Sequence, residues 1–529
     1  MLRRAAVVGS LTLVSRIAGF ARDLVMARVL GAGLLADTFM IAFRLPNHFR
    51  SIIAEGGFNA AFVPTYSGIL AKEGDGAARE FRATVQTWLL LINAVLLLIG
   101  VIGAAYLVRV LAPGFTDDPM QFQLATTLTR ITFPYLFCIS LLSLYGGVLN
   151  SHGHFVLSST ASVLLNLCMI ATLLVASYFP TAAHAAAWGV LISGVAQLVM
   201  VAVGLVKSHL SMPLRWPTLT PEMRVFFKRF GPAVLGASGV QLAVFADTII
   251  ASLLPTGSMS YLYYADRIYQ LPLGIVGIAL GTVLLPDLAR SHSLNNLPAM
   301  RHALGRSLGI GLLTALPCTG LFIGVGDWLM VVLFQHGRFT AEASAGATTA
   351  LVAYSFGLPA AIMIRPLVSG FHARGDTMTP FKVLAVATAV NLALKALFAV
   401  PLGHTGLALA TSCGVTVNAG ILYFLLRRDG LVVIDRSLAA MLAAGVAGLV
   451  VMLAVSGATR NWAMLEFYRT VPLPGWHPEI AAWLPPFFTP LFAMIGIASL
   501  AYVVTAAVTW FAVIGRFSFQ ARPSARSET

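Results

Sequence analysis

Long, nearly uncharged apolar stretches recur along this chain from its first residues to about residue 514. Each can cross a hydrocarbon core of about 30 Å, which takes roughly 20 helical residues. Hydrophobic residues make up 58% of the 529 residues and charged residues only 10%, whereas a soluble domain has about 25% charged residues. The pattern predicts an all-α polytopic membrane protein.

Apolar windows predict about 14 transmembrane helices, of which the second and the eighth carry charges and score weakly on hydropathy alone. The windows lie at 6–30, 34–54, 85–108, 130–150, 155–178, 185–206, 229–253, 262–286, 308–334, 346–371, 381–400, 405–426, 437–456 and 487–514.

Basic residues are distributed unequally between the two sets of connecting segments. If the N-terminus is cytoplasmic, 21 of the 34 Lys and Arg residues lie in inside segments or, for Arg229 and Lys382, at the inside edge of a window, and only Arg109, Arg338, Arg460 and Arg469 lie in outside segments. This bias predicts that both termini are cytoplasmic. It also explains the net charge of +14 as topology, because charges scattered over many short segments do not form the basic face that nucleic acid needs.

The sequence lacks the motifs of several enzyme classes. Its four cysteines, Cys138, Cys168, Cys318 and Cys413, lie singly in apolar segments with no metal-ligand spacing. Neither a G-x-x-x-x-G-K-[ST] loop nor an H-E-x-x-H or G-x-S-x-G motif occurs. We therefore expect no metal, no cofactor and no catalytic residues.

The chain matches itself at an offset of roughly 223 residues. "AFRLPNHF" at 42–49 aligns with "ADRIYQLP" at 265–272, which places Arg44 over Arg267. A near-constant offset predicts two parallel six-helix lobes, and transporters place the substrate site between such repeats.

The repeat divides the chain into three predicted regions. Residues 1–210 form an N-lobe with helices 1–6, and residues 211–430 form a C-lobe with helices 7–12. Residues 431–529 add two extra C-terminal helices and a cytoplasmic tail.

The first predicted helix carries charges on one side. Ser15, Arg16, Arg22 and Asp23 share an arc of about 120°, and apolar residues occupy the opposite side. This arc must face a water-filled cavity or another polar helix, because charge toward lipid costs at least several kcal/mol. Arg28 lies off the arc near the outer end, where we expect it to snorkel to the interface.

Further intramembrane charges lie in both halves: Asp37, Arg44, Arg50 and Glu55 in the second helix, and Asp247, Asp266, Arg267 and Lys395 in the second half. The acids could pair with cations as structural locks between helices, and that alternative stays open. The arginines outnumber the nearby acids, however, and arginine is suited to bidentate phosphate recognition. The pattern favours a polyanionic substrate such as a diphosphate.

Several phrases in both halves resemble the lipid II flippase family, MurJ (MviN), of the MOP exporter superfamily. They are "SRIAGFARD", "ADTFMIAFRLPNHFRSIIAEGGFNAAFVP", "YYADRIYQLPLGIVGIALGTVLLP", "LFQHGRFT" and "DTMTP". The resemblance implies an inner-membrane protein that moves undecaprenyl-diphospho-MurNAc(pentapeptide)-GlcNAc to the periplasmic face by alternating access, for peptidoglycan synthesis. It implies lipid II and membrane lipids as partners, and it allows contact with cell-wall synthesis machinery.

Carried over to this sequence, the resemblance assigns substrate binding to Ser15, Arg16, Arg22, Arg50 and Arg267. Of these, Arg22, Arg50 and Arg267 would bind the diphosphate. It assigns gating or positioning to Asp23, Asp37, Glu55 and Asp266, and a groove for the polyprenyl tail to the last two helices.

One position departs from the family pattern. Some relatives hold a sodium ion among the seventh, eleventh and twelfth helices, but here Lys395 follows Asn391 by one turn where a carboxylate would be wanted. An ammonium near Asp247 could take the place of the cation. We therefore expect an ion pair or cation site without bound sodium, and favour dependence on the membrane potential.

Three other functions compete with this interpretation. A multidrug exporter of the same superfamily would have twelve spans and an acidic or aromatic cavity. An O-antigen type flippase for polyprenyl-diphosphate oligosaccharides would differ from a lipid II flippase only in the sequence motifs quoted above. A membrane-embedded enzyme acting on polyprenyl diphosphates would need acidic metal-binding pairs, and Asp117–Asp118 in a turn is a weak candidate.

Overall fold

The computed structural model describes residues 2–51, 58–470 and 488–520, and the described residues are helices joined by turns and short loops. Contacts between residues divide the chain into two compact units. Unit 1 comprises Met1–Ser260 and His336–Thr340, and unit 2 comprises Tyr261–Gln335 and Ala341–Thr529. This division is based on contacts between residues. The predicted lobes are based on the sequence repeat, and they remain a prediction.

Unit 1 contains nine α-helices among its described residues: α1 (Leu2–Leu30), α2 (Leu34–Phe49), α3 (Asn59–Ile102), α4 (Ala104–Leu111), α5 (Pro119–Thr132), α6 (Tyr135–Ser151), α7 (Phe155–Leu174), α8 (Ala182–Lys207) and α9 (Pro221–Ser252).

Unit 2 contains seven in its described part: α10 (Ser258–Ser293), α11 (Leu297–Phe334), α12 (Ala341–Ser355), α13 (Leu358–His372), α14 (Met378–Arg428), α15 (Arg436–Thr470) and α16 (Phe488–Gln520). The first three residues of α10 are grouped with unit 1.

Local sequence explains where many helices begin and bend. The side chains of Asp118, Thr181 and Thr220 accept hydrogen bonds from the first turns of α5, α8 and α9, as N-cap residues do. Gly74 in α3 and Gly403 in α14 have positive φ angles of 84° and 55°. Each of these glycines breaks a long helix into two segments, because a side chain there would be strained.

The outward faces of the helices are apolar. In α1, Leu13, Val14 and Ile17 are 60%, 48% and 62% exposed, whereas Met26 and Ala27 near the other end are buried. Exposed apolar rows of this kind suit a lipid environment rather than water. They agree with the apolar side of the first helix that the sequence predicts.

Eight helices among the described residues are long and apolar enough to cross a membrane, or nine if the bent pair α12–α13 forms one span. The prediction of an all-α polytopic membrane protein is confirmed. All fourteen predicted windows overlap helices, but the described residues do not resolve them into fourteen separate spans. The number of spans therefore stays a prediction.

Candidate functional site

The polar arc of α1 faces another helix of unit 1. Asn166 on α7 donates a hydrogen bond from Nδ2 to the backbone oxygen of Ser15 at 3.1 Å. Its amide also lies 3.6 Å from the position that a Cβ on Gly19 would take. Ser15 is half-buried, and the side chain of Arg16 is exposed. One part of the arc thus packs on a polar residue, and another part stays accessible.

Arg22 and Asp23 form a buried ion pair further along α1. The Nε and Nη2 groups of Arg22 donate to the same carboxylate oxygen of Asp23 at 3.1 and 2.7 Å. Arg22 is 8% exposed and Asp23 is 2% exposed. A buried pair of this kind is held firmly, because removing one partner would leave an uncompensated charge. The carboxylate of Asp23 therefore fixes the orientation of the Arg22 guanidinium.

Asp37, in the first turn of α2, caps the beginning of α10. Its Oδ2 accepts from the backbone N–H of Gly257 at 2.6 Å, and its Oδ1 accepts from the backbone N–H of Ser260 at 2.9 Å. The hydroxyl of Ser260 donates to the same carboxylate. Asp37 is 1% exposed. A carboxylate at a helix N-terminus is stabilised by the unpaired N–H groups and the helix dipole.

Arg44 and His48 on α2 donate hydrogen bonds to uncharged side chains of α9. Nη1 of Arg44 donates to the hydroxyl of Thr248 at 2.8 Å. Nδ1 of His48 lies 2.6 Å from Oε1 of Gln241, and because an amide oxygen only accepts, this nitrogen carries the proton. Sequence reasoning missed His48, Gln241 and Thr248. The available signal was polar residues inside the predicted second and seventh spans.

Arg50 lies at the end of α2, where Pro46 precedes it by four residues. Its Nε donates to Oδ1 of Asn47 at 3.0 Å, and its backbone N–H donates to the carbonyl oxygens of Asn47 and Pro46. The side chain is half-buried. Glu55, which the sequence assigns to gating, lies outside the described residues.

Asp247 is the remaining residue of unit 1 that the sequence predicts as an acidic side chain inside the membrane. It is half-buried on α9, one residue before Thr248.

In unit 2, Arg267 on α10 is oriented by an aromatic residue one turn earlier. Its Nη2 donates to the hydroxyl of Tyr263 at 3.0 Å, and its guanidinium carbon lies 4.6 Å from the centre of the same ring. Stacking on an aromatic face while donating to the hydroxyl of the same ring suits the planar, multiply donating guanidinium of arginine better than the ammonium of lysine. Asp266 accepts a hydrogen bond from the Gln270 amide. Sequence reasoning missed Tyr263, which its i−4 spacing from Arg267 could have indicated.

The predicted ion-pair or cation residues of unit 2 lie in the first segment of α14. Lys395 is 4% exposed. The Oδ1 atom of Asn391 is buried and has no hydrogen-bond partner among the described residues. Asn391 packs closely on Gly414, whose Cβ, if it had one, would lie 2.7 Å from that of Asn391. Among the described residues, no group of three or more His, Cys, Asp or Glu could hold a metal ion.

An apolar cavity of about 320 Å³ lies within unit 2. Side chains of α11, α13, α14 and α15 line it, among them Leu308, Met363, Leu367, Tyr423 and Leu442. Of the two predicted tail-groove helices, α15 contributes to this lining. α16 packs on α15 through Ala498 and Tyr502, which cluster with Met452, and on α11 through Met494.

A buried cation in unit 1 was not expected from the sequence, which counts Arg82 among the loop charges. Arg82 is 0% exposed. Its Nη1 donates to the hydroxyl of Tyr66 at 2.9 Å and to Asp75 at 3.3 Å. The Tyr66 hydroxyl lies 3.0 Å from Nε2 of His152. Burial, followed by the nearby Arg82 charge, lowers the pKa of His152, which favours a neutral imidazole beside the Tyr66 hydroxyl.

Residues 26–473 match the protein family described as Lipid II flippase MurJ. A protein of Rhizobium tropici named probable lipid II flippase MurJ is 39% identical over 444 residues, which cover 83% of each chain. Lipid II flippase MurJ of Burkholderia cenocepacia is 35% identical over 440 residues, which cover 82% of this chain and 84% of that one.

Two solved structures show the fold. A lipid II flippase MurJ in an inward-closed conformation has a TM-score of 0.74 at 22% identity and covers 96% of this chain and 99% of that one. An inward-facing multidrug resistance MATE transporter of the MOP superfamily has a TM-score of 0.64 at 14% identity, with 81% of this chain and 98% of that one covered. The resemblance that the sequence motifs indicate is confirmed.

Proposed function

Because the chain belongs to the MurJ lipid II flippase family, we propose that it moves undecaprenyl-diphospho-MurNAc(pentapeptide)-GlcNAc from the cytoplasmic to the periplasmic leaflet for peptidoglycan synthesis. The observation that carries the proposal is the Arg22–Asp23 pair, a guanidinium held in place inside an apolar helix. Its membrane is the bacterial inner membrane, and both termini are cytoplasmic. Cell-wall synthesis enzymes use the lipid that it delivers.

The diphosphate is the part of the cargo that arginine recognises. Arg22, Arg50 and Arg267 contact it during the transport cycle, since a planar guanidinium can donate two parallel hydrogen bonds to a phosphate. Each of these side chains is oriented by a neighbour: Arg22 by Asp23, Arg50 by Asn47 and Arg267 by Tyr263. Such support reduces the entropy lost when substrate binds. Ser15 and the exposed Arg16 extend the same polar arc toward the sugar–peptide headgroup.

The polyprenyl tail requires an apolar surface of its own. The cavity lined by α11, α13, α14 and α15 supports a tail-binding role for the C-terminal region, because its lining is almost entirely hydrocarbon. Each buried CH₂ group contributes about 0.8 kcal/mol. A tail in this cavity would keep the lipid attached while its headgroup crosses.

We assign gating and energy coupling to the remaining charged residues. Asp37 holds the start of α10 and is released when the periplasmic side opens, and Glu55 and Asp266 act with Asp23 in positioning the arginines. Lys395 supplies a fixed ammonium one turn after Asn391 on α14, where the sequence predicts an ion pair or cation site. The transporter therefore needs no metal and responds to the membrane potential. It has no catalytic residues and is not an enzyme.

Complementation tests the proposed function. Cells depleted of their own lipid II flippase should grow when they express this chain and should lyse when they express Arg22→Ala, with both proteins at equal membrane levels. Lys72→Ala, a change of an exposed side chain in α3, is the matched control and should support growth. Lysis with the wild-type chain present at normal level would contradict the proposal.

A further inference from the structure

Two arginines from distant parts of the sequence meet in one cavity of unit 1. Arg28, near the end of α1, and Arg338 both line a cavity of about 480 Å³, together with Val29 of α1, Leu35 of α2 and residues 176–177 and 179–182. Both side chains are exposed. Within the described part of the chain, no Asp or Glu lines this cavity.

The backbone forces these two arginines to be neighbours. The N–H of Arg338 donates to the carbonyl oxygen of Arg28 at 2.9 Å. Gly31 and Gly337 have positive φ angles of 75° and 61°, and a Cβ on either would overlap a backbone oxygen of the opposite segment. Two glycines are thus required for this close approach. The pairing is built by the fold rather than by chance contact between long side chains.

The charge distribution makes this pairing unusual. Outside segments hold only four basic residues of the whole sequence, and Arg338 is one of them. The fold places it beside the arginine at the outer end of α1. Two like charges repel each other, and an anion bound between the two guanidinium groups relieves that repulsion.

The start of α8, which lines the same cavity, also favours an anion. Thr181 and Ala182 are the N-cap and first residue of α8, a helix of 26 residues. The N–H groups of a first helical turn lack intrahelical partners and carry partial positive charge. One water takes about 30 Å³, so a cavity of about 480 Å³ has room for a whole headgroup rather than a single ion.

The surroundings indicate a ligand from the membrane rather than from solution. Leu174, Val175 and Tyr178, which adjoin the cavity-lining residues, are 65%, 44% and 87% exposed. Exposed aliphatic residues followed by a tyrosine are typical of the interface between hydrocarbon and headgroups.

We propose that Arg28, Arg338 and the start of α8 form a binding site for the headgroup of an anionic phospholipid in the outer leaflet. The outer side follows from the charge bias of the sequence. The site does not depend on the proposed cargo.

A titration with short-chain lipids tests the site. Thermal unfolding of the purified full-length protein in detergent is followed against dioctanoyl phosphatidylglycerol, dioctanoyl phosphatidylcholine and inorganic phosphate, since a ligand of the native state raises the Tm with its concentration. We expect phosphatidylglycerol to bind at least tenfold more tightly than either of the others. Equal affinity for phosphatidylcholine would overturn the proposal. Tighter binding of inorganic phosphate would overturn the assignment to a lipid.

Variants locate the site. Arg28→Gln and Arg338→Gln should each weaken phosphatidylglycerol binding about tenfold, the size of one charge-assisted contact. Arg109→Gln removes another outer-side arginine, which stacks on Phe122, and should leave the affinity unchanged. Gly337→Ala keeps both charges but displaces the backbone, so it should also weaken binding. Unchanged affinity in the Arg28→Gln/Arg338→Gln double variant, folded by circular dichroism and size exclusion, would overturn the proposal.

Discussion

At the scale of single residues, the proposed diphosphate contacts depend on the orientation of each arginine as well as on its charge. Arg22 donates through two nitrogens to Asp23, and Arg267 donates to and stacks on Tyr263. Lysine retains the positive charge but offers neither the planar stacking surface nor the paired donors. The two interpretations of these residues, structural locks or phosphate ligands, therefore differ in what a lysine should do.

We expect Arg22→Ala, Arg50→Ala and Arg267→Ala each to abolish complementation with the protein still in the membrane. Losing one charge-assisted contact costs about 1.5–3 kcal/mol, or roughly 10- to 150-fold in affinity. The lysine variants should impair at least one position severely, most strongly Arg267 because of its stacking on Tyr263. Growth of a flippase-depleted strain measures complementation, and immunoblots of membranes measure the protein level. Normal growth with all three lysine variants would favour structural locks.

The buried Arg82 provides a stability prediction. Tyr66→Phe removes the hydroxyl that lies between Arg82 and His152, so a buried cation loses a hydrogen-bond acceptor. A hydrogen bond to a charged group contributes about 1.5–3 kcal/mol, and we expect a lower Tm in detergent. Tyr178→Phe, at a tyrosine that is 87% exposed, is the control. If both variants melted with the wild type, the network would not contribute to stability.

Sequence and structure agree best where the information is local. The apolar arc of α1 could be predicted because Leu13, Val14 and Ile17 lie within two turns of the helix. The partners of Arg82 and Asp37 could not be predicted, since Arg82 looks like an ordinary loop charge and the N–H groups that bind Asp37 lie 220 and 223 residues away in sequence. Hydropathy reports which residues face lipid, but not which distant segments meet.

At the scale of helices, the start of α10 depends on a side chain of α2. Asp37 accepts hydrogen bonds from the backbone N–H groups of Gly257 and Ser260. N–H groups at the start of a helix have no intrahelical partner. Asparagine at this position would retain one acceptor oxygen and lose the negative charge. The contact would then be weaker without a change in shape.

Asp37→Asn should therefore loosen the start of α10 and impair complementation at normal protein level. In a background with the four native cysteines replaced by serine, we expect Ser258→Cys, at a residue now 3% exposed, to react faster with an impermeant maleimide when Asp37→Asn is present. Asp117→Asn, at an exposed acid, is the control. Unchanged labelling and growth would mean that Asp37 is not part of a gate.

At the scale of the whole molecule, the C-terminal helices lie outside the internal repeat that the sequence predicts. The apolar cavity in unit 2 uses α15 together with three helices of the predicted C-lobe. A tail-binding role predicts that deletion of residues 431–529 abolishes flipping while the shortened protein still inserts. Membrane fractionation and complementation measure the two properties. Normal growth with the shortened protein as the only flippase would exclude the role.

Translocation itself is the most direct test. In cells whose only lipid II flippase is this chain, lipid II exposed on the outer face of the inner membrane is quantified before and after rapid depletion of the protein. We predict that outer-face lipid II falls and inner-face lipid II accumulates, and that re-expression of the wild-type chain, but not of Arg22→Ala, reverses both. Unchanged outer-face lipid II after complete depletion would contradict the assignment of this chain as the flippase.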